Sequence, residues 1–317
     1  MTNESGKGER RGFETVRRVG FETLDPSTQA TDGAIGGTLI LAGTPIGNVG
    51  DASPRLLELL ETADIVAAED TRKLRALAGR LGVTVKGQVV PCYEHNEIQQ
   101  APFLLDAVAA GQTVVLVTDA GMPGVSDPGY RLVAAAAARG VPVTCVPGPS
   151  AAVTALALSG LPSDRFAFEG FLPRKPGARA KTLAGLAAEP RTLVFFEAPH
   201  RVLDTVRDLA DAFGASRSAA LCRELTKVYE EVIRGTLGQL VVALSQRQAE
   251  PGGIRGEFVI VIGPMPDGGA LLSQEDLAKE VAKLVGEGSS LKDATAAVAA
   301  AHQASKRELY NYCLANR

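Results

Sequence analysis

Short apolar runs separated by polar, periodic stretches dominate the chain from Thr38 onward. Val114–Val117 (VVLV) reads as a strand buried on both faces; Thr38–Ala42 (TLILA), Asp64–Ala68 (DIVAA) and Val141–Val146 read as further strands, and Val89–Val90 is a brief apolar segment. Helical patterns lie between them. One opens with Ser53 as N-cap and Pro54 at its first position; another starts at Thr71 and runs to about Leu81. A third ends at Gly111, the alanine-rich Tyr130–Arg139 closes at Gly140, and a further helix opens at Ser150. Strands alternating with helices over some 120 residues predict a mostly parallel, covered sheet for residues 37–160.

A break at Gly160–Asp164 (GLPSD) marks the expected domain boundary. Residues 161–264 then show strands at Phe166–Phe168, Thr192–Glu197, Ala219–Leu225, Val228–Gly235 and Phe258–Ile262. Helices are expected over Gly177–Ala188, Arg201–Phe213 and Thr236–Gln246. Adjacent strands without intervening helices predict a mixed sheet. The fold class is thus α/β: two α/β domains plus a small C-terminal helical unit. After a Gly/Pro linker at 263–269, residues 270–317 read as three helices capped by Ser273, Ser290 and Ser305, with a turn at His302. That tail has the look of a helix-turn-helix, yet its six Lys and Arg face six Asp and Glu, which favours packing over groove reading. Residues 1–36 mix charges with Gly, Ser and Thr without periodicity and read as a disordered leader.

Composition narrows the class. Hydrophobic residues make up 45% and charged ones 22% of the 317, as in ordinary globular proteins. No apolar run is long enough to cross a bilayer and no signal-peptide core is present, so a cytoplasmic location with no membrane partner is expected. The four cysteines lack CxxC spacing and read as free thiols, with no metal site. A net charge of −3 requires any nucleic-acid contact to come from a local patch. Arg165, Arg174, Lys175, Arg179 and Lys181 against the single acid Glu169 form that candidate patch, on a Pro/Gly-interrupted loop suited to phosphates.

Four apolar strands in the first half end in small or acidic residues: Gly43–Asn48, Glu69–Arg72, Thr118–Gly129 and Pro147–Ala151. In a parallel sheet these ends share one edge and line one crevice. Neither GxxxxGK[ST] nor GxGxxG occurs, so a nucleoside triphosphate or dinucleotide is disfavoured, whereas a ligand with an adenosyl group and an amino-acid end is acceptable.

Six motifs then stand in order: GTPIGN (Gly43–Asn48), AAEDTR (Ala67–Arg72), TDAGMPGVSDPGY (Thr118–Tyr130), VPGPSA (Val146–Ala151), FFEAPHR (Phe195–Arg201) and CRELTKVYEE (Cys222–Glu231). Together they resemble the ribosomal RNA small-subunit methyltransferase I family, within the tetrapyrrole-methylase fold, from about Thr38 to the C-terminus. The resemblance implies S-adenosylmethionine bound between two α/β domains, usually in a homodimer. It implies 2′-O-methylation of a cytidine in the decoding region of 16S rRNA, on the RNA or the small ribosomal subunit. Carried over by position, the cofactor site would use Pro45, Asp119, Ala120, Gly121, Val125, Ser126, Ser150, Ala151, Phe196, Glu197 and Leu225. Ser150 serves equally as a helix N-cap, and Glu197 as a surface carboxylate paired with Arg201.

Methyl transfer from a sulfonium is mainly positioning, aided by a base for the hydroxyl proton. Asp70 with Arg72 is the first choice, a base beside an orienting cation. Glu69, Glu224 and Lys227 are alternatives, with the lone His95 and His200 behind them. Asp119 is assigned to the cofactor and Asp127 to holding its loop. Two other functions stay open: a same-fold tetrapyrrole methyltransferase, and a non-catalytic cofactor sensor binding nucleic acid through the tail.

Overall fold

A computed structural model of the chain describes residues 37–265, 274–301 and 305–315. The leader, most of the linker, the Ser273 cap and the His302 turn lie outside the described residues. The described residues belong to one compact unit.

The first sheet holds β1 (Leu39–Ala42), β2 (Ile65–Ala68), β3 (Gln88–Pro91), β4 (Val114–Val117) and β5 (Val143–Val146), in the order β3-β2-β4-β1-β5 with every pair parallel. Alternation along β4 shows why an unbroken apolar run was needed. Val114 and Leu116 enter the core under α3 (Glu97–Ala109) and α4 (Tyr130–Ala138), while Val115 and Val117 enter the one under α1 (Pro54–Thr62) and α2 (Thr71–Leu81). Chain order sends β1 over β4 toward β2, and β4 over β1 toward β5. The connections leaving these neighbours therefore run in opposite directions, the arrangement that places a ligand site at the carboxyl edge of a parallel sheet. Ser53 caps α1 as its sequence predicts. On α2 the cap is Asp70, not Thr71: the Asp70 carboxylate accepts the Arg72 N–H and Thr71 is already helical.

The second sheet orders β6 (Phe166–Phe171), β7 (Thr192–Glu197), β10 (Phe258–Ile262), β8 (Ser218–Arg223) and β9 (Glu231–Thr236) as β6-β7-β10-β8-β9. Only β6–β7 is parallel, so the sheet is mixed. β8 stops at Arg223 and β9 starts at Glu231, shorter than the apolar runs suggest, because Glu224 and Thr226 adopt left-handed backbone. One face, with Leu193, Phe195, Leu221 and Ile260, packs on α6 (Pro176–Leu186), α7 (Val202–Phe213) and α8 (Leu237–Ala249). The opposite face packs Val194, Ala220, Cys222 and Val259 on Ala152, Ala155 and Leu156 of α5 (Ala151–Ser159) and on Ile46. Thus α5 leaves the first sheet to cover the second, and Val143, Thr144 and Cys145 of β5 stay exposed. Cys145 is accordingly an exposed free thiol, whereas Cys92, Cys222 and Cys313 are buried. In the tail, α9 (Gln274–Gly286), α10 (Leu291–Ala301) and α11 (Lys306–Ala315) bury Leu277, Val281, Val298 and Leu309 against one another. No described helix is long and apolar enough to cross a membrane.

Candidate active site

The loops after β1, β4 and β5 interlock through backbone, which explains their glycines. Thr44 and Gly121 exchange N–H···O bonds of 2.9 and 3.1 Å, and the Gly121 backbone is left-handed. A Cβ on Gly148 would lie 2.8 Å from the Gly43 backbone, so only two glycines let β1 and β5 loops approach this closely. Met122 adds a contact, its Sδ accepting the Gly148 N–H at 3.3 Å. The β1 loop also reaches the second domain, where Asn48 N–H donates to Thr226 Oγ1 at 3.1 Å.

Between these loops and the ends of β7 and β10 lies a cavity of about 320 Å³. Of the residues assigned to a cofactor, Ala120, Gly121, Val125, Ser126, Ser150, Ala151, Phe196, Glu197 and Leu225 line this one cavity. Pro45 is not in its wall, though its neighbour Ile46 is. Asp119 is also outside the wall: its Oδ1 accepts the Asp70 N–H at 3.2 Å and its Oδ2 pairs with Lys73 Nζ at 2.7 Å. Asp119 thereby ties the β4 loop to α2. Missing from the sequence-based set are Met122, Asp127, Phe171, Pro199 and Glu257, all of which line the cavity. Phe171 and Glu257 sit where β6 and β10 meet the site, and only the fold brings them to it.

Ser150 is the N-cap of α5 by position, yet its side chain makes no capping bond. Ser150 and Ala151, at the start of α5, both line the cavity. Glu197 is buried rather than on the surface. It accepts from Thr205 Oγ1 at 2.7 Å and from Ala198 N–H at 2.8 Å, and pairs with Arg201 at 3.3 Å. Glu257 pairs with Lys227 at 2.9 Å, and Lys227 also bonds Glu224 at 2.8 Å. That leaves Asp127, whose carboxylate has no hydrogen bond or ion pair among the described residues. Burial first, then Glu69 and Asp119, push its pKa up to about 7.

The charged loop after β2 sits at the edge. Asp70 carries an ion pair to Arg72 (2.8 Å) besides its capping bond, and these Arg72 bonds hold its carboxyl well below the usual range. Glu69 is raised, chiefly by burial, while its Oε2 accepts the Asp119 N–H. Among the described residues the non-glycine positions with left-handed backbone are Ser126, Glu224 and Thr226, all in or beside the cavity wall. Strain gathered at one place marks a functional site. Of the basic patch, Arg165, Arg174, Lys175 and Lys181 are exposed. Arg179 is turned inward, buried and paired with Asp208.

The donor set fits an adenosyl sulfonium. Apolar Ile46, Val125, Phe196, Leu225 and Val259 suit a flat base, and the charged wall residues are Asp127, Glu197 and Glu257 with no Lys or Arg among them. With Glu197 and Glu257 paired to Arg201 and Lys227, Asp127 is the wall carboxylate without an ion pair among the described residues, and its negative charge favours a ligand carrying positive charge.

Comparison with known proteins follows the same line. A family model of the tetrapyrrole (corrin/porphyrin) methylases matches residues 38–241. Ribosomal RNA small subunit methyltransferase I of Mycobacterium bovis is 48% identical over 282 residues, covering 89% of this chain and 96% of the relative. The protein of that name from Escherichia coli O157:H7 is 40% identical over 281 residues, covering 88% and 95%. A solved cobalamin biosynthetic enzyme, cobalt precorrin-4 methyltransferase, superposes with a TM-score of 0.51 at 20% identity over 71% of this chain and 94% of its own, a likeness of fold.

Proposed function

The chain belongs to the ribosomal RNA small subunit methyltransferase I family, within the tetrapyrrole methylases, and from that premise we propose that it methylates the 2′-hydroxyl of a cytidine in the decoding region of 16S rRNA. The observation that carries this reading is a cavity walled by carboxylates and free of cations, adjoined by exposed basic residues. When bound, S-adenosylmethionine supplies a methyl group activated by its sulfonium. Residues of this chain hold and orient the two reactants. The loops of β1, β4 and β5 with Leu225 and Val259 enclose the adenosyl end, and the wall carboxylates favour positive charge near the sulfur. Arg72, whose side chain is 86% exposed beside the cavity loops, and Arg174 and Lys175 engage the RNA backbone.

The protein works in the cytoplasm as a homodimer. Exposed Val228 and Tyr229, next to the free edge of β9, support pairing of two copies. A tetrapyrrole substrate has no use for the exposed basic loop, and the balanced charge of the tail gives duplex DNA little to hold. Labelled methyl from S-adenosylmethionine, offered to small subunits from cells lacking the enzyme, is expected in 16S rRNA at a cytidine ribose. No incorporation, or label on a base, would refute the proposal.

A further inference from the structure

We propose that Asp127 is the proton acceptor of the reaction, taking the ribose 2′-hydroxyl proton as the methyl group is transferred. This rests on the RNA-methyltransferase reading above.

Geometry selects Asp127 among the carboxylates at the cleft. Glu197 is consumed by Thr205, Ala198 N–H and Arg201, and Glu257 by Lys227. Asp70 caps α2 and pairs with Arg72, which makes it a weak base. Glu69 and Asp119 hold each other's loops through N–H bonds and, for Asp119, through Lys73. Asp127 alone lines the cavity with its carboxylate unspent.

Its loop is built to hold it still. Ser126, just before it, is left-handed at φ 63°, and a Cβ on Gly170 of β6 would lie 3.3 Å from Ser126 Oγ, so the loop abuts the second domain. On the other side, Gly124 N–H bonds Pro128 O at 3.0 Å, and Glu97 Oε1 accepts the N–H groups of Gly129 and Leu132 at 3.0 and 2.8 Å. A carboxylate fixed at both flanks, yet free of partners, suits a group that must receive a proton.

The surroundings keep that carboxylate basic. Burial comes first, and Glu69 from the β2 loop and Asp119 from its own loop add negative charge, whereas Glu197 and Glu257 of the second-domain wall are offset by Arg201 and Lys227. Lys73, the nearest cation named at this edge, is bound to Asp119. Asp127 therefore titrates close to neutrality, where a general base is most effective.

The step balances. The ribose oxygen forms a bond to the methyl carbon as the carbon–sulfur bond breaks. That bond's electron pair stays on sulfur, leaving a neutral thioether. The hydroxyl proton passes to the Asp127 carboxylate, so the sulfonium's positive charge and the carboxylate's negative charge disappear together.

Asp127→Asn tests this with little change of shape. Methyl incorporation should fall about 100-fold or more in kcat. Affinity for S-adenosylhomocysteine, whose thioether carries no charge, should change by no more than a few-fold by calorimetry, showing that the cavity survives. The acidic limb of the wild-type pH–rate profile should vanish from the residual activity. Independently of turnover, the carboxyl carbon of Asp127 should titrate near neutral pH by NMR in the cofactor-free protein. A variant retaining more than a tenth of wild-type kcat, an unchanged acidic limb, or titration alongside ordinary surface carboxylates would overturn the assignment. Wild-type protein that methylates no RNA would instead overturn the underlying reading.

Discussion

Replacing Glu97 by alanine removes the acceptor at the start of α4 from a different helix. Gly129 is the N-cap of α4 and has no side chain to cap with, so the first N–H groups of that helix need another partner. Glu97, 2% exposed, supplies it: one carboxylate oxygen takes the N–H groups of both Gly129 and Leu132. Arg131 stands 3.9 Å from the other oxygen and, being a donor only, cannot replace the lost acceptor. The alanine variant leaves two buried donors unpaired and a hole where the carboxylate was. At roughly 1–3 kcal/mol for each orphaned group, about 3–5 kcal/mol of stability should go. For a chain of this size that lowers Tm by about 8–15 °C. Glu97→Gln keeps an acceptor of the same shape and should cost only about 1–2 kcal/mol.

Chemical denaturation with both variants measures these costs, and hydrogen exchange at Gly129 and Leu132 reports the local effect. Because the segment leads directly out of the loop bearing Asp127, kcat should fall in Glu97→Ala even at temperatures where the fold is intact. Loss of less than 1 kcal/mol, or equal effects of Ala and Gln, would refute the capping role. Unchanged exchange at Gly129 would show that α4 finds its partners elsewhere.

Reversing Arg174 and Lys175 to Glu should weaken binding to small-subunit particles at least tenfold and reduce the salt slope of binding, leaving S-adenosylmethionine affinity intact; unchanged affinity at moderate salt would sink the role. Gly148→Ala forces a Cβ to within 2.8 Å of the Gly43 backbone, so about 1–3 kcal/mol of overpacking strain and a tenfold or greater loss of cofactor affinity are expected by denaturation and calorimetry. Asp127→Asn should also stabilise the fold in a pH-dependent way. An acid whose folded pKa is raised from 3.8 to about 7 opposes folding when ionised, a cost absent below about pH 4 and complete above about pH 7. Discounted for its partial contact with solvent, the gain should be about 1–3 kcal/mol at pH 8 and near zero at pH 4; equal gains at both would refute it.

Strand and helix alternation was legible because β4 and its neighbours are covered on both faces and admit only apolar residues. The mixed second sheet followed from strands with no helix between them. What α5 covers was not legible. Its sequence, AAVTALALS, is apolar nearly all round, which signals burial but gives no stripe to say against which sheet. Arg179 was miscounted with the exposed cations for a related reason. Pro176 starts α6 there, and helical spacing puts Arg179 on the inward face with Leu183, which only the helix boundary reveals. Within the cavity loops the motifs marked the right stretch without separating its acids. Asp119 and Asp127 lie eight residues apart in a loop of no fixed period, and which one meets α2 and which the cavity depends on the left-handed turns at Gly121, Gly124 and Ser126. Glu97 lies in the first turn of α3, yet its carboxylate caps α4, a partnership that only the fold creates.

The separation of charge across the site accounts for how one protein can hold a cationic donor and an anionic polymer side by side. Every charged residue in the cavity wall is a carboxylate, and the cations Arg72, paired with Asp70, and Arg174 and Lys175 lie on exposed surface. At physiological salt such exposed charges act over about 8 Å, so each patch governs its own reactant. Under the proposed function, a phosphodiester backbone held by the basic loop would be repelled from the wall beyond it, so that only an uncharged part of the nucleotide would enter. A ribose hydroxyl meets that condition. Once inside, it meets the one wall carboxylate that no neighbour has claimed. Adding a cation to the wall, as in Val125→Lys, should therefore weaken S-adenosylmethionine binding by at least tenfold, and unchanged affinity would refute this division of charge.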